Sequence, residues 1–219
     1  MSYPPALTSS FSLPHHESIA CKIQVFIPHI TDKESSEVTW SYLDGSPVMT
    51  AATLTSLTAV AQESAVAQKL RRPLSDGPGA CVPAGAKVYV VLRNDTQQVL
   101  ALGKFGYKDL WMPYELLALC EYPGAAAAVA KAGRNRGLLP WPSAPCLLDL
   151  CVHSEWRRHG LASRLLSAMA QAEGIPMEQV AIDRPSEDMK ALWSGRFHRQ
   201  LHLAPNNFAI SQASIDQEP

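Results

Sequence analysis

The chain has 219 residues, 47% of them hydrophobic and 18% charged, with a formal net charge of -1. That balance fits a globular domain with one sizeable core and excludes a global electrostatic pull toward nucleic acid or a membrane surface. Five cysteines without a C-x-x-C pair argue against a disulfide framework or a zinc site and fit a reducing compartment.

In chain order, residues 1–20 ("MSYPPALTSSFSLPHHESIA") read as a flexible tail with neither the basic start nor the apolar segment of a secretory signal. No apolar run reaches membrane-spanning length, so a cytoplasmic location is expected. "CKIQVFIPHI" has the β-branched and aromatic content of a strand, followed by the polar turn "TDKESSE". Ser46-Pro47 reads as a helix cap and first helical residue, with Leu54, Leu57, Val60 and Ala61 continuing at helical spacing toward Gln68. After a Pro/Gly-rich loop, "KVYVVLRND" and "QQVLALGKFGY" predict an antiparallel hairpin.

"LWMPYELLALC" begins with a further short strand, and the Ala-rich stretch at about 121–144 reads as a mobile insertion, transiently helical at its alanines. "PCLLDLCVH" is the next strand, "RRHGLASRLLSAMAQAEG" a turn and a helix stopped by Gly174, and "MEQVAID" another strand, together a βαβ unit. Ser186 is placed to cap a helix over "EDMKALWSGRF", and "NNFAIS" supplies a last strand before a flexible tail at 213–219. The expected fold is one α/β domain over 21–212, a central mixed sheet flanked by helices.

Arg157-Arg158-His159-Gly160-Leu161-Ala162 fits Arg/Gln-x-x-Gly-x-Gly/Ala between a strand and a helix, where backbone N–H groups and the helix dipole favour a diphosphate. This pattern resembles the pyrophosphate loop of the GNAT acetyltransferase superfamily. The blocks "GKFGYKDLW", "PCLLDLCVHSEWRRHG", "VAIDRPSEDMKALW" and "NNFAI" resemble those of the α-tubulin N-acetyltransferases, and "AQKL" matches that family's first-helix ending. The resemblance spans roughly Val48 to Ile210, apart from the Ala-rich stretch.

The resemblance implies a GNAT-like fold, acetyl-CoA as co-substrate with no metal, and a luminal-loop lysine of α-tubulin as acceptor, by direct attack in a ternary complex. It also implies microtubules as partner, no nucleic acid or membrane, and a cytoskeletal location that extends to cilia or flagella. Alternatives are a GNAT acting on another protein lysine or small amine, or a tubulin-binding module with weak catalysis. Asp183, Cys146 and Gln68 match the family's catalytic positions. Leu150, Cys151, Val152, His153, Ser154, Glu155, Trp156, Arg157, Arg158, His159, Gly160, Leu161, Ala162 and Ser163 match one acetyl-CoA-binding segment. Ser186, Glu187, Asp188, Met189, Lys190, Ala191, Leu192, Trp193, Ser194 and Gly195 match the second. Lys104 and Lys108 are candidates for contact with an acidic partner, and Arg184, Asn206 and Asn207 for the substrate pocket.

Acetyl transfer needs a neutral lysine amine, and free lysine has a pKa of about 10.4, so a proton must leave before or during attack. Asp183 at a strand end is the acceptor candidate; free aspartate, with a pKa of about 3.9, is a weak base, which favours positioning plus proton relay over simple abstraction. Cys146 reads either as a proton-transfer or shaping group or as an inert core cysteine. Backbone N–H groups along Leu150 to Val152 are the expected stabilisers of the thioester oxyanion, which requires that strand to part from its neighbour. Asp149 has a structural hydrogen-bond role in this reading.

Overall fold

The computed structural model describes residues 10–13, 16–30, 38–42, 50–67, 86–134 and 136–213. They form a mixed α/β fold that divides into two units, one within Met1–Gly106 and Leu148–Glu173, the other within Tyr107–Leu147 and Gly174–Pro219. Two long strands, β5 (Val99–Pro113) and β6 (Leu138–Val152), contribute residues to both.

In the first unit β1 (Ser10–Leu13) and β2 (His16–Ile30) pair antiparallel, so part of the expected N-terminal tail is sheet. β3 (Val38–Tyr42), absent from the sequence reading, pairs antiparallel with the end of β2. β4 (Lys87–Arg93) lies between β2 and β5, antiparallel to both, and the hairpin expected from "KVYVVLRND" and "QQVLALGKFGY" is present. Helix α1 (Ala51–Ala67) begins later than expected; Thr50 caps it, its Oγ1 accepting from Thr53 N at 3.1 Å. Ser46-Pro47 and Gln68 lie outside the described residues.

The continuous apolar run of β4 follows from burial on both faces. Val88, Val90 and Leu92 join Leu57, Val60 and Ala61 of α1 in one core cluster with Phe26, Val99, Leu102 and Cys151. Each such aliphatic side chain contributes roughly 1.5–3 kcal/mol on burial. On the other face lies α4 (Leu161–Glu173), whose Glu173 accepts from Lys87 Nζ at 2.9 Å and from the Tyr89 hydroxyl. Gly103 permits close packing here, since an added Cβ would stand 2.8 Å from Met169 Sδ.

The second unit holds the remainder of β5 and β6, with β7 (Ala181–Asp183) parallel to β6 and β9 (Phe208–Ala213) antiparallel to β7. β8 (Arg199–Leu203) pairs with β9 at the edge and follows α5 (Glu187–Phe197). Ser186 caps α5 as expected, its Oγ accepting from Met189 N at 3.2 Å. Only the end of "MEQVAID" is strand, because Met177–Gln179 close a single 3₁₀ turn after Pro176. Residues 214–219 lie outside the described set.

The stretch expected as a mobile insertion is ordered. β5 runs to Pro113, α2 (Tyr114–Leu117) follows, and α3 (Pro123–Ala132) takes up the alanines, the residue type with the highest helix propensity. Leu138 to Ala144 belong to β6. Ala125 and Trp141 are fully buried, the Tyr122 and Trp141 rings lie 6.1 Å apart, and the Arg136 guanidinium sits 3.9 Å from the centre of the Tyr114 ring. Trp141→Ala is therefore expected to cost about 3–5 kcal/mol, the range for emptying a large buried site. Urea denaturation measures this; a loss below about 0.5 kcal/mol would mean that the segment is not packed.

Candidate functional site

In the second unit, β7 sets the geometry. Its parallel ladder with β6 comprises Cys146 opposite Ala181 and Leu147 opposite Ile182, and Asp183 pairs with Phe208 on the other side. Side chains alternate along a strand, so Asp183 shares a face with Ala181 and therefore with Cys146. β7 stops at Asp183, one residue beyond its last pair with β6.

The Asp183 side chain is only 10% exposed and lies between two cations, Lys108 Nζ at 3.7 Å and Arg184 Nε at 3.4 Å. Lys108 also lies 5.2 Å from the centre of the Phe208 ring. Arg184 has a left-handed backbone (φ 44°), held by its N–H donating to Asn207 O at 2.8 Å. Asn206 and Asn207 form the turn into β9. Asn206 Nδ2 donates to Trp111 O at 2.9 Å, and Asn207 takes φ 66°, which asparagine tolerates. Six candidate residues, Cys146, Asp183, Arg184, Lys108, Asn206 and Asn207, thus belong to one neighbourhood.

Cys146 is fully buried, and its Sγ donates to Ala144 O at 3.2 Å. Burial pushes its pKa up to about 12, with the Asp183 charge adding to the rise and Lys108 opposing it. It is a neutral thiol at physiological pH, unsuited to attack a thioester as a thiolate.

In the first unit the turn after β6 holds the other cluster. His153 N donates to Leu100 O at 2.9 Å, Ser154–Trp156 form one 3₁₀ turn, and α4 begins at Leu161. The helical ladder starts with Arg164 N donating to Gly160 O at 3.0 Å, so the N–H groups of Leu161, Ala162 and Ser163 lie ahead of it. Arg158 (φ 68°) and Gly160 (φ 74°) are left-handed, and a Cβ added at Gly160 would meet no heavy atom within 4 Å among the described residues. A helix start with a bare Gly160 backbone beside it fits a diphosphate group.

Several expected contacts are revised. Lys104 is only 3% exposed, so its ammonium is not offered to an acidic partner surface. Cys151, Leu161, Met189 and Trp193 are buried, and their side chains serve the core; Cys151 Sγ donates to Val60 O at 3.5 Å. Glu63 was not singled out from the sequence: its Oε1 accepts from Ser154 N at 2.8 Å, a contact between residues 91 apart that no local pattern announces.

Residues 136–218 match the family described as GNAT acetyltransferase, Mec-17. That stretch, 83 of the 219 residues, is similar to this family. Two curated relatives, both named alpha-tubulin N-acetyltransferase, are similar over parts of the chain. That of Anopheles gambiae is 37% identical over 95 residues, 40% of this chain and 20% of the relative. That of Aedes aegypti is 47% identical over 69 residues, 31% of this chain and 25% of the relative. The matches thus span a fifth to a quarter of those relatives' length. Among solved structures, the xEco2 acetyltransferase domain bound to a CoA conjugate aligns over 97% of this chain and 99% of its own, at 13% identity and a TM-score of 0.48.

The Mec-17 stretch contains both Cys146 and Asp183. With its pKa pushed up to about 12, Cys146 is almost entirely protonated at pH 8, with a thiolate fraction on the order of one part in ten thousand. Alkylation of native protein by iodoacetamide at pH 8, followed by peptide mass spectrometry, should label Cys146 at least a thousandfold more slowly than free cysteine. Rapid labelling of the folded protein would overturn this account of the thiol.

Proposed function

We propose that the chain is an acetyl-CoA-dependent protein-lysine N-acetyltransferase whose acceptor is a luminal-loop lysine of α-tubulin. The observation that carries the reading is Asp183, a largely buried carboxylate with a lysine ammonium 3.7 Å away, inside the stretch that matches the Mec-17 family. A carboxylate that receives the Lys108 ammonium has the chemistry to receive that of an acceptor lysine. The two alpha-tubulin N-acetyltransferase relatives support the choice of acceptor. Cytoplasmic microtubules, including those of cilia and flagella, follow as the place of action.

In this mechanism the acceptor ammonium gives up one proton, and its nitrogen attacks the thioester carbonyl carbon. The C–S bond breaks and CoA leaves as a thiolate, which takes up the second proton shed by the attacking nitrogen while the first passes to solvent, so charge and protons balance. Asp183 orients the amine and relays its proton. Cys146, held neutral, shapes the site and carries no acetyl group. The turn from Arg157 to Ala162 seats the diphosphate, and backbone N–H groups of Leu150 to Val152 stabilise the oxyanion. Ser186 to Gly195 are assigned to acetyl-CoA by resemblance, and Gln68 to the catalytic set on the same ground.

Incubation with microtubules and acetyl-CoA, followed by mass mapping of acetyl-lysine, tests the acceptor. Modification of α-tubulin at one luminal-loop lysine is expected, and modification of other proteins alone would replace tubulin with a different acceptor. Asp183→Asn should lower turnover about a hundredfold, within the range for loss of a general acid–base group, while acetyl-CoA binding changes little. Full turnover in Asp183→Asn would remove Asp183 from the mechanism.

A ligand that binds only the folded chain adds about 2.7 kcal/mol at a hundredfold excess over Kd. Acetyl-CoA should therefore raise the melting temperature. Gly160→Trp should abolish that rise, because the indole would occupy the diphosphate approach and Trp is strained at a φ of 74°. A full shift in the variant would place the cofactor elsewhere.

A further inference from the structure

We propose that Glu63, on helix α1, is a positioning residue for the cofactor turn, fastening its first residues from outside. The inference rests on the reading of Arg157 to Ala162 as the diphosphate seat. Glu63 Oε1 accepts from Ser154 N at 2.8 Å, at the point where β6 has ended and the turn begins. The same oxygen lies 3.8 Å from Arg157 Nη2, while Arg157 Nε donates to Val152 O at 3.3 Å. Arg157 is thereby folded back over the end of β6, clamped between a backbone carbonyl and the carboxylate. The Glu63 Oε2 atom lies 3.8 Å from His153 Nδ1, but that nitrogen accepts from Glu155 N, so the imidazole serves mainly as a cap.

The turn needs such a fastening. It contains two left-handed residues, one of them the non-glycine Arg158, a conformation that persists only where neighbouring contacts hold it. A charge-assisted bond to a backbone N–H is among the stronger contacts open to a surface-side turn. A carboxylate near a diphosphate seat also repels the ligand. Arg157 and the Ser154 N–H already draw on the Glu63 charge, so positioning outweighs repulsion here.

Wild type, Glu63→Ala and Glu63→Gln test this through calorimetric affinity for CoA and hydrogen exchange of the Ser154 amide in ligand-free protein. Glu63→Ala should weaken CoA about tenfold and speed Ser154 exchange by a similar factor, with the kinetic loss falling on the KM for acetyl-CoA rather than on kcat. Glu63→Gln keeps an oxygen acceptor for Ser154 N and should bind within about threefold of wild type. Unchanged or tighter CoA binding in Glu63→Ala, with wild type binding normally, overturns the inference alone; tighter binding would show repulsion dominating. Equal losses in both variants overturn it as well, since the acceptor would then be irrelevant. Wild type that fails to bind CoA overturns the diphosphate seat, and this inference with it.

Discussion

The candidate centre of the second unit depends on a very short parallel ladder, two residue pairs between β6 and β7. A slip of one residue would turn β7 over and exchange the faces of Ile182 and Asp183, moving a carboxylate into the core and an isoleucine to the site. The antiparallel pairing of Asp183 with Phe208 grips β7 from the other side. The left-handed residues Arg184 and Asn207 follow from this arrangement. Both strands must bend away immediately after their last pair, and the Arg184 N–H to Asn207 O bond joins the two bends.

That backbone frame explains why two titratable groups on one face have unlike environments. Cys146 sits inside the ladder with its thiol against a backbone carbonyl, where desolvation dominates. Asp183 sits at the strand end, where two cations reach its oxygens. The division suits direct transfer, because a neutral thiol contributes shape without competing for the acyl group while the carboxylate interacts with ammonium groups. A covalent route would need the reverse arrangement, a thiolate stabilised by the cations that here surround the aspartate.

Much of this was legible from residue pattern. β4 and β5 announced themselves through β-branched runs, α4 through apolar residues at helical spacing, and α5 through Ser186. Asp183 and Cys146 were legible because their surrounding blocks resemble a family. Other features depended on distant partners. The alanines of α3 and the prolines around Trp141 read locally as an insertion, whereas burial of the Trp141 indole makes its surroundings a strand. β8 is an edge strand with a weak apolar signature, held by pairing with β9, whereas β3 carries a legible alternation in Val38, Trp40 and Tyr42. Lys104 was a candidate for contact with an acidic partner, whereas β5 is buried on both faces from Val99 to Gly106.

The charge placement also bears on how an acidic partner would be met. With a net charge of -1 the chain has no global pull to offer, so recognition must be local. The two lysines that pattern offered for this task are both committed inside the fold, Lys104 by burial and Lys108 by Asp183. Arg184 keeps 54% of its side chain exposed, though its Nε faces Asp183. Trp111, tied to the β9 turn through Asn206, is 60% exposed. An exposed guanidinium at Arg184 and an exposed indole at Trp111, rather than a lysine cluster, are the side chains this part of the second unit presents.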